Sequence, residues 1–535
     1  MKKIFTLIAF LILTAGFGYP VGAADDGKGL PLLNTPDGII RGQAGRDIYM
    51  KYCASCHHAE RYGLKAPALI PETIKRYNKE ELAKIITEGL PATQMPSFKR
   101  FLTGEDTEKI VDYITLPVND ARWDMEDIDK SREMFAPLEG SVNAAIIPSE
   151  RFNPGEKGLI TGFTETGTPK TAEGIDPENI TLVVESGRGV TVMDGHSFKI
   201  LDKFYAGAIH GGPKFSRSLK YVYAATRDGM VTKYDISTLR KIASVKAGIN
   251  MRNIALSHDD RFLAAANYLP GNITILDADL NPKKIISAGN RIGGLYSLDN
   301  EKKFICSFRD SAEVWLIDYT DNFRVEKIAT PEPFEDISIS PFEDMIISSS
   351  RKGTRIIIYS LRERKIMGSF ETDGMPHLAS ATYWVDKGVL YTAINHLKRP
   401  VVTILDLNNM KVVREINLKG SGFFVRTHQD TPFIWIDTNT DTIQIIDKST
   451  LQVVKDLIPS TDKKAMHIEF TKDGQYAMVS IYEDEGSLVI YDAFKLEEVK
   501  RMPFKKPAGK YNALNKRYPV RQYSPVKTSA AATGQ

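Results

Sequence analysis

At 535 residues the chain is too long for one ordinary domain and of a length for two or three. Hydrophobic residues make up 42% and charged residues 26%, the composition of a globular protein. With 70 basic against 67 acidic side chains, a net charge of +3 gives no electrostatic basis for nucleic-acid binding.

The first element reads as a targeting signal. Lys2 and Lys3 form a positive start, and Ile4 to Phe17 an apolar run too short for an ordinary membrane span. Val21-Gly22-Ala23 then supplies a small-x-small cleavage site. Residues 1–24 are expected to be a cleavable signal peptide, which directs the protein to the periplasm. Nothing later in the sequence is apolar enough to span a bilayer. Residues 25–40, polar with Gly and Pro, read as a leader.

Residues 41–118 carry helical patterning and predict a small all-α domain. Gln43 to Tyr52 is amphipathic, and Glu80 to Glu88 and Asp106 to Ile114 are two further short helices. Thr103 caps the last of these, with Asp106 three residues on in a capping-box arrangement. Directly after the first helix stands Cys53-Ala54-Ser55-Cys56-His57. This fits C-x-x-C-H, in which two thiols add to haem as thioethers and the adjacent imidazole ligates the iron. A redox dithiol or a zinc half-site would need partner residues that this stretch lacks. The motif therefore predicts one covalent haem c on Cys53 and Cys56, with His57 as proximal ligand. Met95, in a loop 38 residues after His57 and followed by Pro96, is the best second axial ligand, with His58 and Met50 as rivals. Of the three cysteines only Cys306 lies outside the motif; it falls in an apolar strand-like stretch and reads as buried, so no disulfide framework exists.

Residues 119–178, rich in Pro, Gly and charge, read as a linker. From 179 to 517 short β-rich segments alternate with Gly/Asp/Asn turns. Apolar strands recur that end at Asp194, Asp235, Asp277, Asp318, Tyr359, Asp406, Asp447 and Asp492, at intervals of 41, 42, 41, 41, 47, 41 and 45 residues. A repeat of this length with four strands per unit is the signature of a β-propeller, and eight anchors predict eight blades. Asp is expected in each turn because its side chain can accept nearby backbone N–H groups. The fold class is thus multidomain: a small all-α cytochrome c domain followed by an all-β eight-bladed β-propeller. Residues 518–535, rich in Ser, Thr, Ala and Pro, read as a disordered tail.

A signal peptide, a single c-type haem domain and an eight-bladed propeller together resemble the cytochrome cd1 family. The specific stretches are Ala208-Ile209-His210, Thr226-Arg227-Asp228-Gly229, Arg252-Asn253-Ile254-Ala255, Ala266-Asn267-Tyr268-Leu269-Pro270 and Pro507-Ala508-Gly509-Lys510-Tyr511-Asn512. The resemblance implies a non-covalent haem d1, or its dihydro precursor, held in the propeller. It implies His210 as ligand to that iron and Arg227 and Arg252 as partners of the carboxylates, a role suited to bidentate guanidinium.

The nitrite reductases of the family place two distal histidines over haem d1. His377 matches the second; the first falls at Pro333-Phe334-Glu335-Asp336, where no histidine stands, and Glu185 occupies a position where the reductases carry arginine. Val183-Val184-Glu185-Ser186-Gly187-Arg188 and Ala465-Met466-His467-Ile468-Glu469-Phe470 look like the biosynthetic branch. The chain is most similar to the branch of dihydro-haem d1 dehydrogenases. That similarity implies oxidation of a precursor propionate to acrylate, with loss of two electrons and two protons and electrons passing to haem c. His377 and His467 then serve as bases, and Tyr511 orients a carboxylate or relays a proton. The implied partners are the tetrapyrrole substrate, an external acceptor or donor such as a small cytochrome or cupredoxin, and a nitrite reductase that receives haem d1. The alternatives are a nitrite reductase with a substituted pocket and a non-enzymatic electron or haem d1 carrier. His428 is a family-like position without an assigned role, while His196, His258 and His396 read as surface or turn residues.

Overall fold

A computed structural model describes residues 43–517 except 65, 76, 91–94, 119–120, 136–173, 186–188, 208, 290 and 350–353. The expected signal peptide, leader, tail and most of the expected linker lie outside the described residues. The chain divides into two compact units, one containing 69–117 with the residues up to Tyr52, the other Cys53–Ala68 with the residues from Val118 onward.

In the smaller unit, α1 (Arg46–Tyr52) packs on a longer helix, Gly104–Ile114. The approach is close because Gly45 has no side chain: a β-carbon there would lie 1.9 Å from the Lys109 carbonyl oxygen. Tyr49 is fully buried, its ring 5.2 Å from that of Tyr113. The helix Lys79–Glu88 starts with a capping box of Asn78 and Glu81, and buries Leu82 and Ile86. The predicted capping box at Thr103 and Asp106 forms, each residue's backbone N–H donating to the other's side chain.

The larger unit holds eight antiparallel sheets among the described residues, seven with four strands and one with five. The first strand of the blades, Ile180–Glu185, pairs with Pro507–Asn512, so chain-distant segments complete one blade and close the ring. The fifth strand is Glu133–Met134, which extends the sheet that contains Arg240–Lys246. Apolar clusters lie between neighbouring blades. One joins Ile273 and Ile275 to Phe304 and Trp315, another Trp435 and Ile445 to Phe470 and Val479. Cys306 is fully buried in the first, as expected.

The turn chemistry behind the repeat is regular. Asp235 accepts the N–H groups of Ser237 and Thr238, Asp447 those of Ser449 and Thr450, and Asp492 those of Phe494 and Lys495. The Ser449 hydroxyl together with these N–H groups holds the Asp447 carboxyl below the ordinary range, and the N–H groups of Lys495 and Phe494 do the same for Asp492. One anchor is corrected by a residue. The strand Arg355–Ser360 ends at Ser360, whose hydroxyl accepts Glu363 N–H at 3.0 Å, whereas Tyr359 is core. The outward side of a strand alternates with the inward side, so Tyr359 marked the neighbouring position.

Candidate haem and tetrapyrrole sites

The C-x-x-C-H motif forms a single helical turn, Ala54–His57. His57 N–H donates to the Cys53 carbonyl at 2.9 Å, and neither Cys53 nor Cys56 is in a disulfide. The His57 ring is buried, and its Nδ1 donates to the Pro67 carbonyl at 2.7 Å. A carbonyl can only accept, so Nδ1 carries the proton and Nε2 the lone pair, the tautomer that ligates iron. Burial keeps the ring neutral by lowering its pKa. Two free thiols and a preset imidazole fit a covalent haem c. Of the rival axial ligands, His58 stacks on Tyr62 at 5.6 Å and meets Trp123 edge-on, while Met50 is exposed on α1. Met95 lies in an irregular stretch, its carbonyl accepting Leu90 N–H at 3.1 Å.

In the propeller the innermost strands Lys214–Phe215, Asn250–Leu256, Ile292–Leu298 and Asp336–Ile339 touch in succession, as do Thr382–Asp386, Val425–Thr427, Ala465–Phe470 and Pro507–Asn512. Each carries or adjoins a polar side chain. His210 precedes Lys214–Phe215, Arg252 lies on Asn250–Leu256, Tyr296 on Ile292–Leu298, and Asp336 opens Asp336–Ile339. His377 caps the turn before Thr382–Asp386, Arg426 lies on Val425–Thr427, His467 on Ala465–Phe470 and Tyr511 on Pro507–Asn512. Eight strands far apart in sequence thus converge on one region.

His210 repeats the device at His57. Its Nδ1 donates to the Arg252 carbonyl at 2.6 Å, which puts the lone pair on Nε2, where Arg227 Nη2 donates at 2.8 Å. Burial, then the charges of Arg227 and Arg252, push the imidazole down to about 3, so it stays unprotonated. Arg252 donates its Nε to the Gly293 carbonyl at 2.9 Å, which fixes the guanidinium. The three predicted groups are therefore together: His210, Arg227 and Arg252.

Two lysines that the sequence did not single out join them. Burial lowers Lys214 to about 8, helped by the Arg252 charge. Burial and the Lys214 charge lower Lys516 to about 7. Lys516 Nζ also stands 5.3 Å over the Tyr511 ring. Neither ammonium forms an ion pair among the described residues, so this end of the propeller is a cationic, partly desolvated receptor suited to carboxylates. The signal that marks them is proximity to motifs: Lys214 follows His210 by one turn, and Lys516 stands just beyond the closing strand.

His467 also packs on Tyr511, with ring centroids 5.3 Å apart. A β-carbon at Gly212, two residues past His210, would sit 2.7 Å from the Tyr511 ring, so glycine lets that ring seat beside the His210 loop. His467 is buried at a bulge, opposite no partner residue, with φ +50°. Bulges of this kind re-aim a side chain. Its Nδ1 accepts Lys510 N–H at 3.4 Å, and burial with the Lys510 charge depresses its pKa strongly. Burial pushes the Tyr511 phenol up to about 12. His377 is half-buried and its Nδ1 donates to the Phe423 carbonyl at 3.0 Å.

The remaining positions resolve as follows. Asp336 accepts Leu378 N–H at 3.0 Å, and no imidazole stands in the segment 333–336. Glu185 is bound within its own blade to Thr191 and Lys203. His428 is buried against the Lys472 carbonyl, a packing position. His196 is exposed and His258 lies in a turn, as expected. His396 is not a surface residue: it is fully buried, with Nδ1 on the Asp373 carbonyl at 2.6 Å and Nε2 on Thr403 at 2.9 Å. It closes a strand end, where a satisfied imidazole replaces a turn residue.

Comparison with known proteins agrees with this architecture. Residues 175–516 match the cytochrome D1 heme domain, and residues 41–114 match cytochrome C oxidase, cbb3-type, subunit III. The chain is 37% identical over 489 residues to the dihydro-heme d1 dehydrogenase of Pseudomonas aeruginosa, covering 88% of this chain and 94% of that protein. It is 23% identical over 547 residues to a nitrite reductase of Stutzerimonas stutzeri, covering 88% and 92%. A solved structure described as dihydro-heme d1 dehydrogenase NirN in complex with DHE superposes with a TM-score of 0.77 at 37% identity, covering 89% of this chain and 99% of that one. With a haem c motif directly after α1 and a d1-type propeller, the chain belongs to the cytochrome cd1 family.

Proposed function

We propose that the chain is a dihydro-haem d1 dehydrogenase, which oxidises a propionate side chain of the haem d1 precursor to an acrylate. The observation that carries this reading is kinship along nearly the whole length with such a dehydrogenase, at 37% identity. The inner ring is consistent with it, with the unprotonated imidazoles of His210 and His467 beside a cationic carboxylate receptor and no histidine at 333–336.

In this reading Arg227 turns from His210 Nε2 to a substrate carboxylate, which it holds with Arg252, Lys214 and Lys516, and the freed Nε2 binds the substrate iron. The reacting side chain loses two protons and two electrons. His377, whose Nδ1 donates to a carbonyl, offers its Nε2 lone pair to one proton. Tyr511 and His467, 5.3 Å apart, line the path by which the second passes to solvent. Because Tyr511 stays protonated, it passes a proton only by releasing its own as it receives another. Cys53 and Cys56, with His57 and Met95 toward the iron, would hold haem c, which would supply a one-electron acceptor to be turned over twice by an external acceptor such as a small cytochrome or cupredoxin. The signal peptide over 1–24 places the protein in the periplasm, where finished haem d1 passes to a nitrite reductase. Among the described residues no helix is long and apolar enough to cross a membrane.

The test is anoxic mixing of haem c-loaded protein with dihydro-haem d1. Reduction of haem c in step with conversion of the tetrapyrrole supports the reading; binding without conversion rejects it.

A further inference from the structure

Asp437 ends the strand Phe433–Asp437 and is fully buried. It forms no ion pair among the described residues. Instead its carboxylate collects three backbone N–H groups. Oδ1 accepts from Phe423 at 2.7 Å; Oδ2 accepts from Phe424 at 3.1 Å and from His467 at 3.2 Å. The loop that supplies the first two must run against the strand, and Gly422 permits it, since a β-carbon there would lie 1.7 Å from the Asp437 carbonyl oxygen.

Each donor leads to one of the two site histidines. The Phe423 carbonyl accepts the His377 Nδ1 proton at 3.0 Å. The Phe424 ring packs against the His467 imidazole with centroids 4.5 Å apart. The third donor is the backbone of His467 itself, which sits in the left-handed region at +50°. That conformation is unfavourable for a residue with a side chain and persists only where its surroundings over-determine it. A second tether acts on the same residue: Lys510 Nζ bonds the His467 carbonyl and donates to Ser480 Oγ at 2.7 Å.

We infer that Asp437 is the positioning residue shared by His377 and His467, a single buried carboxylate that fixes the loop behind one and the strained backbone of the other. The inference rests on the dehydrogenase reading for its catalytic meaning. Three donors on two oxygens need a carboxylate. An asparagine of the same shape turns an NH2 toward at least one N–H and so releases one histidine or the other.

The experiment compares D437N with the wild type as full-length, haem c-loaded protein. Three quantities are read: the affinity for dihydro-haem d1 from the visible spectrum, the single-turnover rate, and the tautomers of His377 and His467 by 15N NMR of the reduced protein without substrate. The expected result is unchanged affinity, a turnover about a hundredfold slower, as for an ångström-scale misplacement, and loss of the single tautomer at one or both histidines. Turnover at the wild-type rate, or both tautomers intact, overturns the inference. Should the wild type itself not convert substrate, the dehydrogenase reading falls, while the tautomers alone still decide whether Asp437 positions the histidines. Where D437N fails to fold, D437E, which keeps the charge and displaces it by one methylene, is judged by the same three readings.

Discussion

His377 and His467 are held in opposite tautomers. The His377 Nδ1 faces a carbonyl, that of Phe423, and must carry the proton, whereas the His467 Nδ1 faces an N–H, that of Lys510, and must carry the lone pair. The outward Nε2 atoms therefore differ: His377 presents an acceptor and His467 a donor. The two imidazoles thus acquire distinct roles from their backbone partners.

This division predicts unequal mutants. H377A removes the proton acceptor and slows single turnover by roughly 10²–10⁴-fold, the range for general acid–base groups, with substrate affinity retained. Added imidazole restores part of the rate. H467A instead disturbs the proton path through Tyr511 and is not rescued by imidazole. Stopped-flow spectra of the c haem under anoxia distinguish the two.

His210 is assigned to the substrate iron. H210A is expected to weaken tetrapyrrole binding by at least roughly 10–100-fold, the loss that follows even from removing a ligand's own hydrogen-bond partner. The c haem spectrum stays unchanged, because His57 is set by a separate carbonyl. A visible titration with dihydro-haem d1 reads both.

Lys214 and Lys516 give binding a pH dependence with a definite sign. Their ammonium forms attract carboxylates, and burial brings their pKa values down to about 8 and about 7. Protons leave as pH rises, so affinity for the tetrapyrrole falls from pH 6.5 to pH 9. K516M weakens binding at pH 6.5 by roughly tenfold, the equivalent of one charge-assisted hydrogen bond, and flattens the pH profile. Titrations at several pH values check this.

Met95 as axial ligand predicts a change in potential. A thioether raises the reduction potential of a c haem relative to a second imidazole, so M95H lowers it. Potentiometric titration of the purified protein measures the direction.

What the sequence made legible is local chemistry. C-x-x-C-H is contiguous, and each blade's Asp satisfies N–H groups only two or three residues away, so both could be read from spacing. Even there the Tyr359 anchor was one residue off, because Ser360 does in that turn what Asp does in the others. The ring around the substrate was less legible. Asp437 meets His467 only because neighbouring blades converge, and Lys516 meets Lys214 because the strand Pro507–Asn512 joins the first blade. No local spacing encodes such contacts. His396 was misjudged because its partners, the Asp373 carbonyl and Thr403, bury a histidine that the sequence alone read as a surface or turn residue.

The central claim is removal of two hydrogens from the tetrapyrrole. The most direct measurement is the mass of the tetrapyrrole extracted after anoxic incubation of dihydro-haem d1 with the haem c-loaded protein and an excess one-electron acceptor. The account predicts a product lighter by two hydrogens, with two equivalents of acceptor reduced for each. A tetrapyrrole recovered at unchanged mass from a protein that binds it tightly would contradict the dehydrogenase and leave a haem d1 carrier.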